Sequence, residues 1–438
     1  MRSFSQYLTN IVSFERIERI AIETGFKKRS STITPQAFLN TLFFANSHVS
    51  PTLTDYCIDL ESYGCKSVSK QAIDKRFNTN TKAMLVRILQ EAISKQVNRK
   101  LIGGVQGHFS QVRIMDSTEF VVSRKVTDTF PGYGGPGREA IVQMQLEYEM
   151  LGGKVTQLSI GSALDTDCIE GMKNIDKIPK RALLMRDLAY FSPKTFKELS
   201  KRDIFFISRA KTQWSFFVKE NGLLVKLTTQ TIIEKLKVQK EKYMDIEVLA
   251  GDQARTPVRL IANLLNEEQT TKRIKKKKAN GSLTKQAEES ACLNLFVTNV
   301  EKIQCSADDI YQLYRLRWQV ELIFKTWKSI LGIHKTHSMN AIRLECQLLI
   351  KFLWVILNWS ILKLAEEATG LEMSLHKFTR TVLARSNTPH LSLFLDKERL
   401  LDWLYKLINT SSIYHKKEYK KSKMELPIEV LRRCNSDK

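Results

Sequence analysis

QVRIMDSTEFVVS (111–123) is a β-branched, largely apolar run, and Asp116 closes its apolar part VRIM; the reading of this stretch decides the fold. Two further runs of the same texture follow, QMQLEYEML (143–151) and KVTQLSIGSAL (154–164), and Gly152-Gly153 between them predicts a hairpin turn. RALLMRD (181–187) is a shorter apolar run that again ends in an acid, Asp187. Three meandering strands, one more strand and later helices predict an α/β domain on a mixed sheet. An acid that closes an apolar strand stands at a sheet rim, where sites gather.

Upstream, residues 1–105 read as a helical region. Thr34-Pro35 supplies a cap and a first-turn proline. LTDYCIDLESYG (53–64) and SVSKQAIDKRFN (67–78) predict two helices about a glycine turn, either a helix-turn-helix or an ordinary helical hairpin. The second helix is expected over 69–78, exposing Lys70, Gln71, Lys75 and Arg76, and a further helix over 81–100. Downstream, the α/β domain occupies 106–202 and resumes over 301–370. A mainly β block, 203–300, separates its two parts through short strands such as FFISRAK (205–211) and LFVTN (295–299). Within that block the basic run 272–278 is expected to be a solvated loop able to track phosphates. The glycine-rich stretch 132–137 lacks a P-loop lysine and is expected to be a loop. Residues 371–438 form a helical C-terminal region with a basic tail, 416–423, expected to be mobile.

The 438 residues carry 69 Lys+Arg against 46 Asp+Glu, a net charge of +23 spread along the chain. So basic a folded protein calls for a polyanion, and nucleic acid is the usual partner. Seven scattered cysteines without a CxxC pair argue against a disulfide framework or zinc knuckle and for a reducing compartment. The most apolar run, 348–364, contains Lys351 and Asn358, so a buried helix is expected and no membrane span.

One further segment carries chemistry. In the pattern Tyr314-x-x-Arg317-x-x-x-Glu321-x6-Lys328, a continuous helix brings all four side chains into an arc of about 60°. With Asp116 and Asp187, Glu321 supplies an oxygen-rich donor set suited to Mg²⁺ or Mn²⁺. Two such ions suit in-line phosphoryl displacement. A lone strand-end Asp is usually a turn residue or a helix cap, and the helical stripe alone is equally a solvated charged face.

This pattern resembles the YREK signature of DDE insertion-sequence transposases of the IS-four family. IMDST (114–118), MRDLAYFS (185–192), FFISRAK and LFVTN fall in that family's order. The resemblance implies an RNase-H-like catalytic domain with a β insertion, and Asp116, Asp187 and Glu321 as a triad holding two divalent ions. It implies that Tyr314, Arg317 and Lys328 grip the transposon-end phosphates and that Arg209 contacts DNA. The partners implied are terminal inverted repeats and target DNA, with a dimer assembled on the DNA, in the cytoplasm at the nucleoid. Two departures stand out. Asn294 occupies the place where some relatives hold a flipped base with a tryptophan, which leaves hairpin-forming excision unsupported. Asp187-Leu-Ala-Tyr replaces the more usual Asp-Arg-Gly-Tyr. The competing readings are an RNase-H-like nuclease without strand transfer and a non-catalytic or domesticated DNA-binding protein.

Overall fold

The computed structural model describes residues 13–45, 51–94, 96, 107–165, 167–239, 241–279, 281, 284–336, 338–385, 397–417 and 427–435. Most of the lysine-rich tail (418–423) and the end of the helix expected to reach residue 100 lie outside these. Ten strands follow one another: β1 (Gln111–Val121), β2 (Ile141–Glu149), β3 (Lys154–Ser162), β4 (Ala182–Arg186), β5 (Phe205–Arg209), β6 (Phe216–Glu220), β7 (Leu223–Leu227), β8 (Met244–Ala250), β9 (Thr256–Leu264) and β10 (Leu293–Thr298). The chain divides into two compact units. One comprises Met1–Leu101, Ser117–Asp165 and Val320–Lys421; the other comprises Ile102–Asp116, Thr166–Gln319 and Ser422–Lys438.

In the first unit the strand order is β3-β2-β1. β2 and β3 pair antiparallel with a bulge at Glu147/Tyr148, as the Gly152-Gly153 junction predicts. Glu149 fastens the turn by accepting from the N–H groups of Leu151 and Gly152 at 2.7 and 2.6 Å. Helices make up the rest. Ser13 caps Phe14–Glu23, and Thr52 with Asp55 forms a capping box on Leu53–Ser62. That second helix stops at Gly64, whose φ of 77° suits glycine.

The helix after this turn is Lys70–Asp74, shorter than the expected 69–78. Lys70, Gln71 and Lys75 are exposed as expected. Arg76 is not free, because its guanidinium lies 5.1 Å from the Phe26 ring centroid and donates to the Phe26 carbonyl and the Ser31 hydroxyl. The next helix, Thr79–Ser94, packs on the long helix Ala341–Thr369.

The second unit has the order β1-β4-β5-β10-β9-β8-β6-β7. β1, β4 and β5 run parallel, and β5, β10, β9, β8, β6 and β7 alternate antiparallel. Every residue of β4 is buried, as a parallel strand between neighbours requires. Its core includes Leu184, Phe196, Phe206, Leu260 and Val297. A mixed sheet with helices and a helical N-terminal region is thus present, and its parallel 1-4-5 strands accord with the RNase-H-like expectation. The strands predicted between 203 and 300 all form. The basic run 272–278, expected as a loop, instead belongs to the helix Glu267–Ala279, built of good helix formers.

Ala341–Thr369 is long and apolar enough to cross a membrane, but its apolar stretch is wholly buried in the fold. Asn340 caps its start and Gly370, at φ 68°, ends it. Lys351 is 3% exposed and its ammonium has no hydrogen-bond partner among the described residues. Burial pushes its pKa down to about 8. Below pH 8 both folded and unfolded chains are protonated, and the fold bears the full cost of a buried charge. That cost fades as pH rises from about 8 through the unfolded value of about 10.4. Lys351→Met should therefore raise the unfolding free energy at pH 7 by on the order of 2–3 kcal/mol. Urea unfolding of both proteins should show the gap narrowing at pH 9.5. Equal stability at pH 7 would show that the buried ammonium carries no such cost.

Candidate active site

The parallel register of β1 and β4 runs from Gln111↔Ala182 to Met115↔Arg186. The next residue on each strand is an acid: Asp116 on one, Asp187 on the other. Neighbouring strands lie about 4.8 Å apart, so the register brings the two backbones alongside each other where the pairing of β1 with β4 ends. Asp187 follows the last residue of its strand, as predicted. Asp116 does not end its strand, because β1 continues to Val121. It lies instead where the pairing with β4 stops.

Asp187 stands ahead of the short 3₁₀ turn Leu188–Tyr190, but its side chain makes no capping bond. Its carboxylate accepts from the Tyr314 hydroxyl at 3.4 Å. That hydroxyl also approaches the Arg186 carbonyl at 3.5 Å. Burial first, and then the Asp187 charge, raise the Tyr314 pKa well above the ordinary phenol, so it remains a donor. Asp116 is paired with Arg317, whose Nη1 lies 2.7 Å from Oδ2, both side chains being less than one-fifth exposed. Asp187 has no ion pair among the described residues.

Tyr314 and Arg317 were expected on one α-helix, yet the α-helix Ala307–Tyr314 gives way to a 3₁₀ turn, Arg315–Arg317. In such a turn residues three apart eclipse. The Arg317 guanidinium accordingly lies 5.9 Å from the centre of the Tyr314 ring. One side chain of this stacked pair reaches Asp187 and the other Asp116.

Arg259 holds the segment leading to this turn. It is 4% exposed, grips Asp245 through two bonds of 2.7 and 2.6 Å, and donates to the Val300 and Cys305 carbonyls at 3.0 and 2.7 Å. Beyond it Ser306 and Asp309 form a capping box on Ala307–Tyr314. Arg209 ends β5 and donates to the Asn294 side-chain oxygen at 3.4 Å.

Glu321 and Lys328 sit seven residues apart on the helix Trp318–Leu331. In the first unit both line a hollow of about 440 Å³ together with Ser117, Thr118, Lys325 and His334. Lys328 donates to the Glu119 carbonyl at 3.1 Å, and burial lowers its pKa. Among the described residues no three His, Cys, Asp or Glu side chains are gathered as a metal cluster. Ser117, Thr118 and His334 went unnoticed in the sequence, where only the adjacency of Ser117 and Thr118 to Asp116 offered a signal.

Residues 107–357 match the family described as Transposase DDE domain. The transposase for insertion sequence element IS231F of Bacillus thuringiensis subsp. israelensis is 28% identical over 381 residues, covering 82% of this chain and 79% of that protein. The transposase for insertion sequence element IS1151 of Clostridium perfringens is 27% identical over 382 residues, covering 82% and 80%. Among solved structures, the cryo-EM structure of the piggyBac transposase synaptic complex with hairpin DNA aligns with a TM-score of 0.46 at 10% identity, over 97% of this chain and 88% of that one.

The geometry makes Arg259 a structural keystone. Breaking a buried ion pair by removing one partner costs about 3–5 kcal/mol. Arg259→Ala should lower the unfolding free energy by that order, read from urea denaturation. A loss below about 1 kcal/mol would place the pair among exposed ones in effect.

Proposed function

The chain belongs to the transposase DDE domain family, and on that premise we propose that it is the transposase of an insertion sequence. It binds the element's terminal inverted repeats, cleaves there by metal-dependent phosphodiester hydrolysis, and joins the freed 3′-hydroxyls to target DNA. The observation that carries this reading is the register that sets Asp116 beside Asp187, with the Tyr314–Arg317 pair reaching both.

The donor set fits hard divalent cations. Two carboxylates follow the last register pair of β1 and β4, and Asp187 has no cationic partner among the described residues. Asp116, Asp187 and Glu321 are the residues we assign to two ions, Mg²⁺ or Mn²⁺. Such ions, when bound, supply activation of the attacking oxygen and stabilisation of the leaving one.

The chain's own groups do the positioning. Tyr314 orients the Asp187 carboxylate by donating to it. Arg317 stays charged at every working pH, offsets Asp116, and has a planar fork suited to phosphate. Lys328 takes a terminal phosphate as a point charge, and Arg209 contacts the DNA. Chemistry of this kind rests on positioning and charge neutralisation, so no protein nucleophile is assigned. The working form is a dimer on DNA, holding two ends together at the nucleoid.

Asp116→Ala, Asp187→Ala and Glu321→Ala should each abolish cleavage and joining while end binding survives. Loss of even an outer-shell partner costs about 10–100-fold, so the fall here should be at least ~100-fold. Labelled end DNA with flanking sequence, with and without Mg²⁺, gives the readout. Lys328→Ala should impair assembly and cleavage together. Ca²⁺ should permit assembly without cleavage. Normal cutting by Glu321→Ala would sink the assignment of the triad, and cutting without joining would point to a plain nuclease.

A further inference from the structure

The helix Glu267–Ala279, EEQTTKRIKKKKA, carries six basic residues against two acidic ones and buries none. Asn266 starts it by accepting from the Gln269 N–H at 2.8 Å. Glu267 and Glu268 stand in the first turn and Lys276, Lys277 and Lys278 in the last, the signs that suit the helix dipole. Thr270, Arg273, Ile274 and Lys277 are half-buried and share one side. Lys272, Lys275, Lys276 and Lys278 are exposed and occupy the opposite arc, about 160° wide at 3.6 residues per turn.

Arg273 holds this helix to the sheet, donating from Nη1 to the Leu293 and Ala291 carbonyls at 2.8 and 3.3 Å. Burial, and then the nearby like charge of Arg209, lower its pKa. Among the described residues neither arginine has a carboxylate partner. The exposed lysines extend the same charge along about 9 Å of helix. Duplex DNA offers one phosphate charge per ~1.7 Å of its axis, so a polyanion can meet the whole row at once. The surface pairs Lys272–Glu268 and Lys278–Glu288, at 2.5 and 3.4 Å, are of the weak, exchangeable kind.

We propose that the helix Glu267–Ala279 is a clamp on the phosphate backbone of duplex DNA, its exposed Lys272, Lys275, Lys276 and Lys278 contacting the backbone while Arg273 holds the helix to the sheet. The clamp rests on the DNA-transposing reading above, and adds to it a surface that holds DNA without reading its sequence.

The test uses the full chain and a labelled duplex of arbitrary sequence, with affinity followed from about 50 to 200 mM salt. K275Q/K276Q/K278Q should reduce the slope of log affinity against log salt by roughly 2–3, since each lost phosphate contact removes about 0.9. K194Q/K197Q/K201Q, the same charge change on the exposed lysines of the helix Pro193–Lys201, should leave the slope as it is. An unchanged slope in the first variant, or an equal fall in both, overturns the clamp. So does loss of binding to anionic vesicles with duplex binding intact. If no protein cuts DNA while the slopes behave as expected, the catalytic reading fails and the clamp stands.

Discussion

Two like charges forced together by strand register are the constraint on which this site depends. β1 and β4 pair in parallel up to Met115↔Arg186, and an acid comes next in each, Asp116 and Asp187. Two carboxylates on neighbouring strands set up a mutual repulsion. The fold answers it locally with one cation, Arg317 on Asp116, and one neutral donor, Tyr314 on Asp187. Much of the second unit's polar architecture serves to deliver that pair. Arg259 ties down the incoming segment, the Ser306–Asp309 box starts the helix, and Arg433 of the C-terminal helix binds Asp309 at 2.8 Å.

The asymmetry between the acids has chemical content. A carboxylate matched by a guanidinium is nearly neutral to its surroundings, whereas one held by a phenol keeps its full charge. The two positions therefore differ in what they attract, although the residue types are the same. Environment, not identity, separates the two carboxylates.

Much of this was legible in the sequence, and the failures have identifiable causes. Alternation and paired glycines predict β2 and β3 because a hairpin is a local event. The apolar run ending at Asp187 reads correctly because β4 is buried on both faces. Asp116 misled, since an acid inside a strand looks like an acid ending one until the partner strand's end is known. The run 272–278 reads as a loop on charge alone, although Asn266 and the end charges already favoured a helix. Arg76 reads as exposed because its partner Phe26 is fifty residues away, and periodicity says nothing of contacts at that range. Periodicity also cannot separate an α-helix from one interrupted by a single 3₁₀ turn, so Tyr314–Lys328 reads as one continuous helix and its break goes unseen.

That turn also bears on how the protein tolerates change in length. The exposed Arg315 side chain can vary while the backbone, anchored by the buried Leu316, still brings residue 317 over residue 314. An insertion or deletion of one residue cannot be absorbed in that way. It swings the arginine by about a third of a turn, away from the tyrosine and from Asp116 together. The three-residue spacing is thus a ruler cut by backbone geometry, more sensitive to length than to the exposed side chain at Arg315.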